Sequence, residues 1–342
     1  MAHRPRTRPF VALLAAGSLL AGACTGAEAE TSEAAEPSTS VGSTVPSTSA
    51  PSTTTSTGSS ATSGDQEAVR YQDSLFPQVT SATAIEVVTV GEGDEAVTLL
   101  ADVFEPADDD AAARALMVLF FGGGFIGGER DSVGMQALAS FLARHGFVVA
   151  TVDYRVLGRA PVDAAELSAA ARQAVLDGGA SVEAFRASVG DGNPWRIDPD
   201  RIFVGGISAG GIIAASLATG GGTSPAPEAE LGDFGSVAGA FVISGAVADL
   251  SVVDAQDAPL FIAHEELDPV VPCGVGAEGS SDTGSVISGG CALLERADEV
   301  GLSAEGFIAE GQAGHVEFTP AQYEEFLDAA TDFFAPLASG IG

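Results

Sequence analysis

The feature that most constrains the fold is an alternation of short apolar segments with longer amphipathic segments beyond residue 67. Short apolar runs are typical of buried strands, and apolar residues spaced by three to four are typical of helices. The strand-like segments are ALMVLFF (115–121), GFVVATVDY (146–154), RIFVGGI (201–207), VAGAFVISGA (237–246) and APLFIAH (258–264), and helical spacing covers 131–145 and 164–189. The sequence therefore predicts an α/β protein with a mostly parallel central sheet and helices on both faces.

Residues 1–23 have the pattern of a secretory signal peptide of the lipoprotein type. Three arginines precede an apolar run, which ends in small residues before Cys24 and is too short for a comfortable membrane span. The ending LAGAC resembles a bacterial lipobox, although Leu20 lies one position further from the cysteine than is usual. We therefore expect either lipid modification of Cys24 or ordinary cleavage near Ala23.

Residues 24–66 are rich in Ser, Thr, Pro, Ala and Glu and show no apolar periodicity. Such a segment cannot bury enough apolar surface to offset the entropy lost on ordering, so we expect a disordered linker.

Residues 67–342 are long enough for one large core and are expected to form the catalytic domain. The stretch from Ser244 to Pro259 is short, which predicts little or no cap domain and an open site.

The formal net charge of −33 excludes some classes of partner. The chain has 14 arginines and no lysine against 47 acidic residues. Because binding to nucleic-acid phosphates needs a basic surface, we do not expect a nucleic-acid partner. The negative electrostatic field of the protein also disfavours the binding of strongly anionic substrates. We expect an exported protein, held at the outer face of the cell membrane only through Cys24 or released outside the cell. The sequence does not predict the oligomeric state.

The three cysteines fit an oxidising compartment. With Cys24 assigned to the anchor, Cys273 and Cys291 remain as a pair that is compatible with a disulfide outside the cytosol. The alternative is two unpaired thiols that only pack. The chain has no Cys/His cluster with the spacing of zinc ligands, so neither a metal nor a cofactor is expected.

Ser208 is the candidate nucleophile because it is the only serine centred in a G-x-S-x-G pattern, within FVGGISAGG (203–211). The preceding RIFVGGI is β-prone and the following AGGIIAASLA is apolar at helical spacing, which predicts a strand, a sharp turn and a helix. Small residues allow that turn to expose the serine above the sheet edge. A glycine-rich turn with an incidental serine is the alternative.

A serine nucleophile needs a base, and the chain has only four histidines. His3 is removed with the signal, His145 is expected at the surface or at a helix end, and His264 ends an apolar strand. His315 lies in a Gly-rich loop before the closing helix and could reach over the sheet edge. It is therefore the preferred base, with an ordinary surface histidine as the alternative.

The base needs an orienting acid, which is expected to follow another strand. HEELDPVVP (264–272) offers Glu265, Glu266 and Asp268, and Asp268 is preferred because two prolines stiffen the loop that it begins. Asp249, after the preceding strand, is the main alternative.

Gly122, Gly123 and Gly124 follow the strand ALMVLFF and allow the backbone to approach a substrate oxygen, as an oxyanion hole requires. A flexible glycine turn is one alternative. A phosphate-binding loop is another, but no lysine is present to complete it.

Together these motifs resemble the α/β-hydrolase family, in particular its esterases and lipases with an H-G-G-G oxyanion motif. The resemblance covers Tyr71 to Leu337 and rests on FGGGF, VDYR, IDPDRIFVGGISAGG, HEELDPVVP and GQAGH in the family's order. It implies that Ser208 is the nucleophile, Asp268 the acid and His315 the base. It also implies oxyanion donors at the N–H groups of Gly123, Gly124 and Ala209. Phe121 stands where the family usually has histidine, so the support of this loop must differ.

The sequence thus predicts a serine hydrolase that cleaves small-molecule or polymeric carboxylic esters through an acyl-enzyme. A peptidase or amidase on the same fold is one alternative. A non-catalytic cell-surface binding protein is another. The acyl and alcohol specificity is not predicted.

Overall fold

The computed structural model describes residues 70–220, 235–277 and 285–340. The predicted signal peptide, Cys24 and the linker at 24–66 lie outside the described residues. The division of the chain at residues 23 and 66 therefore stays a prediction.

The described residues contain eleven strands, most of which join one sheet. They are β1 (Val79–Val90), β2 (Val97–Pro106), β3 (Arg114–Phe120), β4 (Val148–Val152), β5 (Ile197–Ile207), β6 (Ala240–Ile243), β7 (Ala246–Val247), β8 (Leu260–Glu265), β9 (Val275–Ala277), β10 (Val286–Gly289) and β11 (Ala304–Ala309). Eight of them form a sheet in the order β1-β2-β4-β3-β5-β6-β8-β11. β1 pairs antiparallel with β2 and β2 antiparallel with β4, and the remaining pairs are parallel. The prediction of a mostly parallel sheet is confirmed.

Five α-helices of eleven or more residues accompany these strands in the described ranges: α1 (Val133–Arg144), α2 (Ala164–Ser188), α3 (Ala209–Thr219), α4 (Gly290–Val300) and α5 (Pro320–Ser339). Their starts follow sequence signals. Ser132 and Asp163 cap α1 and α2 by accepting backbone N–H bonds, and Thr319 forms a capping box with Gln322 at the start of α5. No helix within the described ranges is long and apolar enough to cross a membrane.

The strand order places the helices on opposite faces of the sheet. The connection through α1 runs from β3 to β4, toward one edge, whereas the connection through α3 runs from β5 to β6, toward the other edge. Because such crossovers are right-handed, α1 and α3 cover opposite faces. The two connections leave the adjacent strands β3 and β5 in opposite directions, and the crevice beyond the carboxyl ends of two such strands is where ligands bind in open α/β sheets.

A second, three-stranded sheet in the order β7-β10-β9 was not predicted from the sequence. It lies in the segments that follow β6 and β8 and leads directly into α4. Between β6 and β8, the only regular elements are β7 and a short 3-10 turn at Leu250–Val252. This region therefore contains no cap domain.

Candidate active site

Ser208 lies on the sharp turn between β5 and α3. Its φ of 55° and ψ of −118° are rare for a residue other than glycine and cost about 1–3 kcal/mol. The turn is held by a hydrogen bond from the Ser208 N–H to the carbonyl of Ile243 (2.8 Å) and by one from Ile212 to the Ser208 carbonyl (2.9 Å). These bonds fix the hydroxyl above the carboxyl ends of β5 and β6.

The two glycines that flank Ser208 are required by close backbone contacts. A Cβ atom on Gly206 would overlap the backbone of Gly210, and a Cβ on Gly210 would overlap the carbonyl oxygens of Phe120 and Phe121. The turn therefore packs directly against the end of β3. This contact explains why glycines stand two residues before and two residues after the serine.

The structure brings Ser208, His315 and Asp268 together at the carboxyl ends of three strands. His315 Nε2 lies 2.7 Å from Ser208 Oγ, and His315 Nδ1 lies 2.7 Å from Asp268 Oδ2. Ser208 follows β5, Asp268 follows β8, and His315 lies in the loop between β11 and α5. With Nδ1 protonated toward Asp268, Nε2 is free to accept the serine proton, which is the arrangement of a nucleophile, base and orienting acid.

The Asp268 carboxylate is buried and accepts several hydrogen bonds. Its Oδ1 accepts from the N–H groups of Val270 (2.8 Å) and Val271 (3.0 Å), and His264 Nε2 lies 3.5 Å from Oδ2. Burial alone would raise the pKa of Asp268, but hydrogen bonds from His264 and His315 outweigh it and lower the pKa to about 2. Asp268 is therefore ionised at neutral pH, and its charge lies beside the His315 imidazole.

The other acids considered from the sequence lie elsewhere. Asp249 is exposed and caps a short turn by accepting from the Ser251 N–H. Glu265 is buried and bonded to Ser244, whereas Glu266 accepts from Gly311. Neither of the glutamates has a hydrogen bond to His315 among the described residues.

The two remaining histidines outside the signal segment also have structural partners. His145 caps the C-terminus of α1 and its Nδ1 lies 2.8 Å from the carbonyl oxygen of Phe141. Its helix-end position agrees with the sequence, but the alternative of a surface position is wrong, because neighbouring side chains bury it. His264 is fully buried, and its Nε2 lies 2.9 Å from the carbonyl oxygen of Val271.

The glycine-rich loop after β3 lies beside the nucleophile. A Cβ atom on Gly122 would contact the Ser208 side chain, and Gly123 and Gly124 have φ values of 136° and 61°, which favour glycine. Among the described residues, the N–H groups of Gly123, Gly124 and Ala209 donate no hydrogen bond. Unpaired amides on this loop and on the turn that carries the serine are what an oxyanion hole requires, and their role as donors stays a prediction.

Phe121 and Tyr154 form a support for this loop that sequence analysis missed. The Phe121 ring stacks on the Tyr154 ring with centroids 4.2 Å apart, and the Tyr154 hydroxyl donates to the Phe121 carbonyl at 2.8 Å. Burial raises the pKa of Tyr154 far above its ordinary value, so the hydroxyl stays protonated and can donate. The phenylalanine that replaces the usual histidine is thus held by an aromatic partner. The VDYR motif contained this tyrosine, but nothing in the sequence connected it with Phe121.

The segment that follows Tyr154 is fixed in turn by α2. Arg155 forms hydrogen bonds through its backbone N–H and its guanidinium to the buried carboxylate of Asp177. The Leu157 N–H donates to the Phe125 carbonyl at 2.9 Å. The glycine-rich loop is therefore bonded to this segment at Phe121, through Tyr154, and at Phe125, through Leu157.

Cys273 and Cys291 form a disulfide that connects the acid loop to α4. Their Cα atoms are 4.9 Å apart, and the Ala292 N–H also donates to the Cys273 carbonyl at 3.1 Å. The structure therefore contains the bridge that the sequence predicts. No group of three or more His, Cys, Asp or Glu side chains in the described part of the chain is arranged to hold a metal ion.

Comparisons with known proteins agree with this architecture. A family model described as an alpha/beta hydrolase fold matches residues 117–266, which include the oxyanion loop and Ser208. The described part of the chain has the α/β-hydrolase fold. Among curated proteins, none matches the sequence.

Solved structures with the same fold include two forms of an esterase from Thermogutta terrifontis. The propionate-bound form is 22% identical, with a TM-score of 0.56 over 77% of this chain and 96% of that chain. The form phosphorylated by paraoxon is 21% identical, with a TM-score of 0.55 over 77% and 96% of the two chains. A truncated carbohydrate esterase from gut microbiota is 18% identical, with a TM-score of 0.55 over 76% and 96%. At these identities the likeness shows the fold.

Tyr154→Phe tests the support of the glycine-rich loop after β3. The variant keeps the ring stack on Phe121 but leaves the buried Phe121 carbonyl without its donor. Losing an oxyanion donor outright costs about 10²–10³ in kcat. We expect a smaller fall of about tenfold for a displaced loop, with KM unchanged, measured by steady-state ester hydrolysis.

Tyr71→Phe is the matched control for this variant. The Tyr71 hydroxyl is also buried and accepts from the Ala115 N–H at 3.0 Å, but at the opposite end of β3. The Tyr71→Phe variant should have a lower melting temperature and an unchanged kcat. An equal loss of kcat in both variants would contradict the proposed support.

Reduction of the disulfide should lower both stability and activity. Closing a loop of this length, with a sequence separation of 18, is worth about 3 kcal/mol in the chain-entropy model. Because Cys273 lies five positions after Asp268, loosening of the loop should displace the Asp268 carboxylate before the rest of the fold unfolds. We expect the melting temperature to fall, and ester hydrolysis to decline with increasing reductant before circular dichroism reports unfolding. Two freely alkylatable thiols in native protein would contradict the bridge.

Proposed function

We propose that this protein is a serine hydrolase that cleaves carboxylic esters through an acyl-enzyme. The observation that carries the proposal is the hydrogen-bonded chain from Ser208 Oγ through His315 to the buried Asp268, with 2.7 Å at both contacts. The glycine-rich loop contacts the Ser208 side chain at Gly122, and the N–H groups of Gly123, Gly124 and Ala209 donate no hydrogen bond among the described residues. Activated serines with adjacent donors of this kind perform acyl transfer.

In the proposed reaction, Ser208 Oγ attacks the ester carbonyl while His315 Nε2 accepts the serine proton. Negative charge develops on the carbonyl oxygen, where the N–H groups of Gly123, Gly124 and Ala209 would stabilise it. The protonated His315, stabilised by Asp268, gives its proton to the leaving alcohol. A water molecule then attacks the acyl-enzyme as His315 accepts its proton, and the acid is released.

The structural neighbours support an ester substrate with a small acyl group. The Thermogutta terrifontis protein is an esterase that has been solved with propionate bound and with a phosphoryl group from paraoxon. The gut-microbiota neighbour is a carbohydrate esterase. The described region between β6 and β8 contains no cap domain, which favours an open site that admits short esters or ester groups on a polymer.

A hydrolysis screen with p-nitrophenyl esters of graded chain length, run beside p-nitroanilides, tests the proposal. We expect turnover of esters, with the highest kcat/KM for short acyl chains. Faster cleavage of the anilides would favour a peptidase or amidase. Labelling with a fluorophosphonate probe separates an enzyme from a binding protein, because only an activated serine reacts at an appreciable rate.

We also propose that the mature protein is exported and anchored through a lipid on Cys24. The signal-like segment at 1–23 and the lipobox-like LAGAC support this location. Mass spectrometry of protein from the native host should find acyl groups on an N-terminal cysteine. A free N-terminus at another residue would contradict the anchor and leave ordinary cleavage near Ala23 as the explanation.

A further inference from the structure

The backbone next to His315 is held in a strained conformation. Val316 has a φ of 60°, in the left-handed region that β-branched residues avoid. Such a residue costs about 1–3 kcal/mol and persists only where its surroundings hold it in place. The contacts around Val316 therefore help to keep His315 Nε2 at 2.7 Å from Ser208 Oγ.

Four consecutive residues at the end of β8 make these contacts with the histidine loop. The carboxylates of Glu265 and Glu266 accept from backbone N–H groups of the loop. Leu267 donates its own N–H, and Asp268 binds the imidazole. The pairs are Glu265 with Glu317 (2.6 Å), Glu266 with Gly311 (2.6 Å), Leu267 with Gln312 (2.9 Å) and Asp268 with His315 (2.7 Å). The loop is thus bonded to this segment on both sides of the histidine.

Glu265 differs from the exposed Glu266 because its side chain is fully buried and connects three elements. One carboxylate oxygen accepts from the Glu317 N–H, two residues after His315, and the other accepts from the Ser244 hydroxyl at 2.7 Å. Ser244 directly follows Ile243, whose carbonyl holds the Ser208 turn. One carboxylate therefore connects the histidine loop to the strand that supports the nucleophile.

The polar groups around Glu265 are hydrogen-bond donors, which need an acceptor at this position. Burial raises the pKa of Glu265, and the hydrogen bonds from Ser244 and Glu317 oppose that rise. Burial, together with the charge of Glu265, raises the pKa of Tyr323 to about 12, and the Tyr323 hydroxyl lies 3.4 Å from the Val316 carbonyl. Without the carboxylate, the Glu317 N–H and the Ser244 hydroxyl would both lose their acceptor.

We propose that Glu265 is a positioning residue that holds the strained loop so that His315 stays aligned with Ser208. The inference rests on the proposed ester hydrolysis, since the alignment matters only if His315 is the base. Glu265 touches neither the serine hydroxyl nor the imidazole in the described contacts, and it acts through Glu317 and Ser244. Its loss should therefore lower kcat and leave substrate binding unchanged.

Two substitutions at Glu265 separate hydrogen bonding from packing. Glu265→Met retains a similar volume but provides no oxygen acceptor. Glu265→Gln provides one oxygen for the Glu317 N–H, and its amide can donate to the Ser244 hydroxyl. Glu325→Gln, an exposed glutamate on α5, controls for the loss of one negative charge. Each variant is purified as the full chain, checked for folding by near-UV circular dichroism, and assayed with p-nitrophenyl esters and with a fluorophosphonate probe.

We expect Glu265→Met to lower kcat by about 10²-fold with KM unchanged, the scale for a misplaced catalytic group. Glu265→Gln should recover most of the loss, and Glu325→Gln should match wild type. A folded Glu265→Met protein with wild-type kcat and labelling rate would overturn the proposal.

Ser244→Ala decides the question if Glu265→Met does not fold, because it removes one partner of the carboxylate and little volume. We expect it to lower kcat without raising KM, and a wild-type kcat would overturn the proposal. If wild type labels with the probe but cleaves no ester, the labelling rates still test Glu265, and only the ester assignment fails. Wild-type protein that neither labels nor hydrolyses esters would contradict both.

Discussion

Ser208→Ala is expected to lower kcat for ester hydrolysis by about 10⁶-fold, the scale seen when the nucleophile of a serine triad is removed. The reason is specific to this position, since Ser208 Oγ is the serine oxygen that lies 2.7 Å from His315 Nε2, on a turn that contacts the glycine-rich loop at Gly122. The substitution removes only that oxygen. The turn itself should persist, because its hydrogen bonds to Ile243 and Ile212 use backbone atoms.

Two measurements check this expectation. Fluorophosphonate labelling should disappear in Ser208→Ala, while the melting temperature stays close to wild type. Ser236→Ala is the matched control, because Ser236 is exposed and lies before β6, at the edge of the sheet opposite the candidate site. Labelling of Ser208→Ala at the wild-type rate would show that another serine is the nucleophile.

Five of the eight strands of the main sheet were predictable because apolar segments and helical segments alternate in that part of the sequence. β4 and β6 lie within the segments that the sequence marks as strands, and β3, β5 and β8 overlap such segments, since burial on both faces requires continuous apolar runs. The small sheet was not predictable. β7, β9 and β10 are two to four residues long, and they are stabilised by pairing with one another rather than by their own composition.

The chemistry of the site was predictable to the extent that it depends on residue type and on position after a strand. Ser208, Asp268 and His315 each follow a strand, and parallel strands bring their carboxyl ends to one edge. The supporting contacts depend on which side chains meet across the chain. Tyr154 bonds to a residue 33 positions away, and Glu265 bonds to residues 21 and 52 positions away. Sequence spacing carries no signal for such pairs, so Glu265 entered only as a rival acid.

The ionisation of Asp268 also affects the free energy of unfolding, and the direction of its pH dependence follows from the pKa of Asp268. The folded pKa of about 2 is below the ordinary value of 3.8, so the ionised carboxylate stabilises the folded protein above about pH 4. That contribution is lost as the pH falls through the folded pKa. An asparagine at this position does not titrate and would remove this part of the acid sensitivity.

Asp268→Asn is expected to lower kcat by about 10⁴-fold, the scale for holding a catalytic histidine in the wrong tautomer. The surroundings of Asp268 decide which way the new amide points. Its oxygen must accept the N–H groups of Val270 and Val271, so its NH₂ group takes the place of Oδ2 beside His315. An NH₂ group donates, and His315 Nδ1 must then accept.

The proton of the neutral imidazole consequently moves to Nε2, which faces Ser208 Oγ and can no longer accept the serine proton. The negative charge that stabilises protonated His315 is lost as well, so both steps of the reaction that need the imidazolium should slow. The exposed Asp249 allows a matched control, because Asp249→Asn makes the same change of charge and shape away from His315. We expect kcat/KM and the fluorophosphonate labelling rate to collapse in Asp268→Asn and to match wild type in Asp249→Asn. Greater damage from Asp249→Asn would show that the acid has been assigned to the wrong strand end.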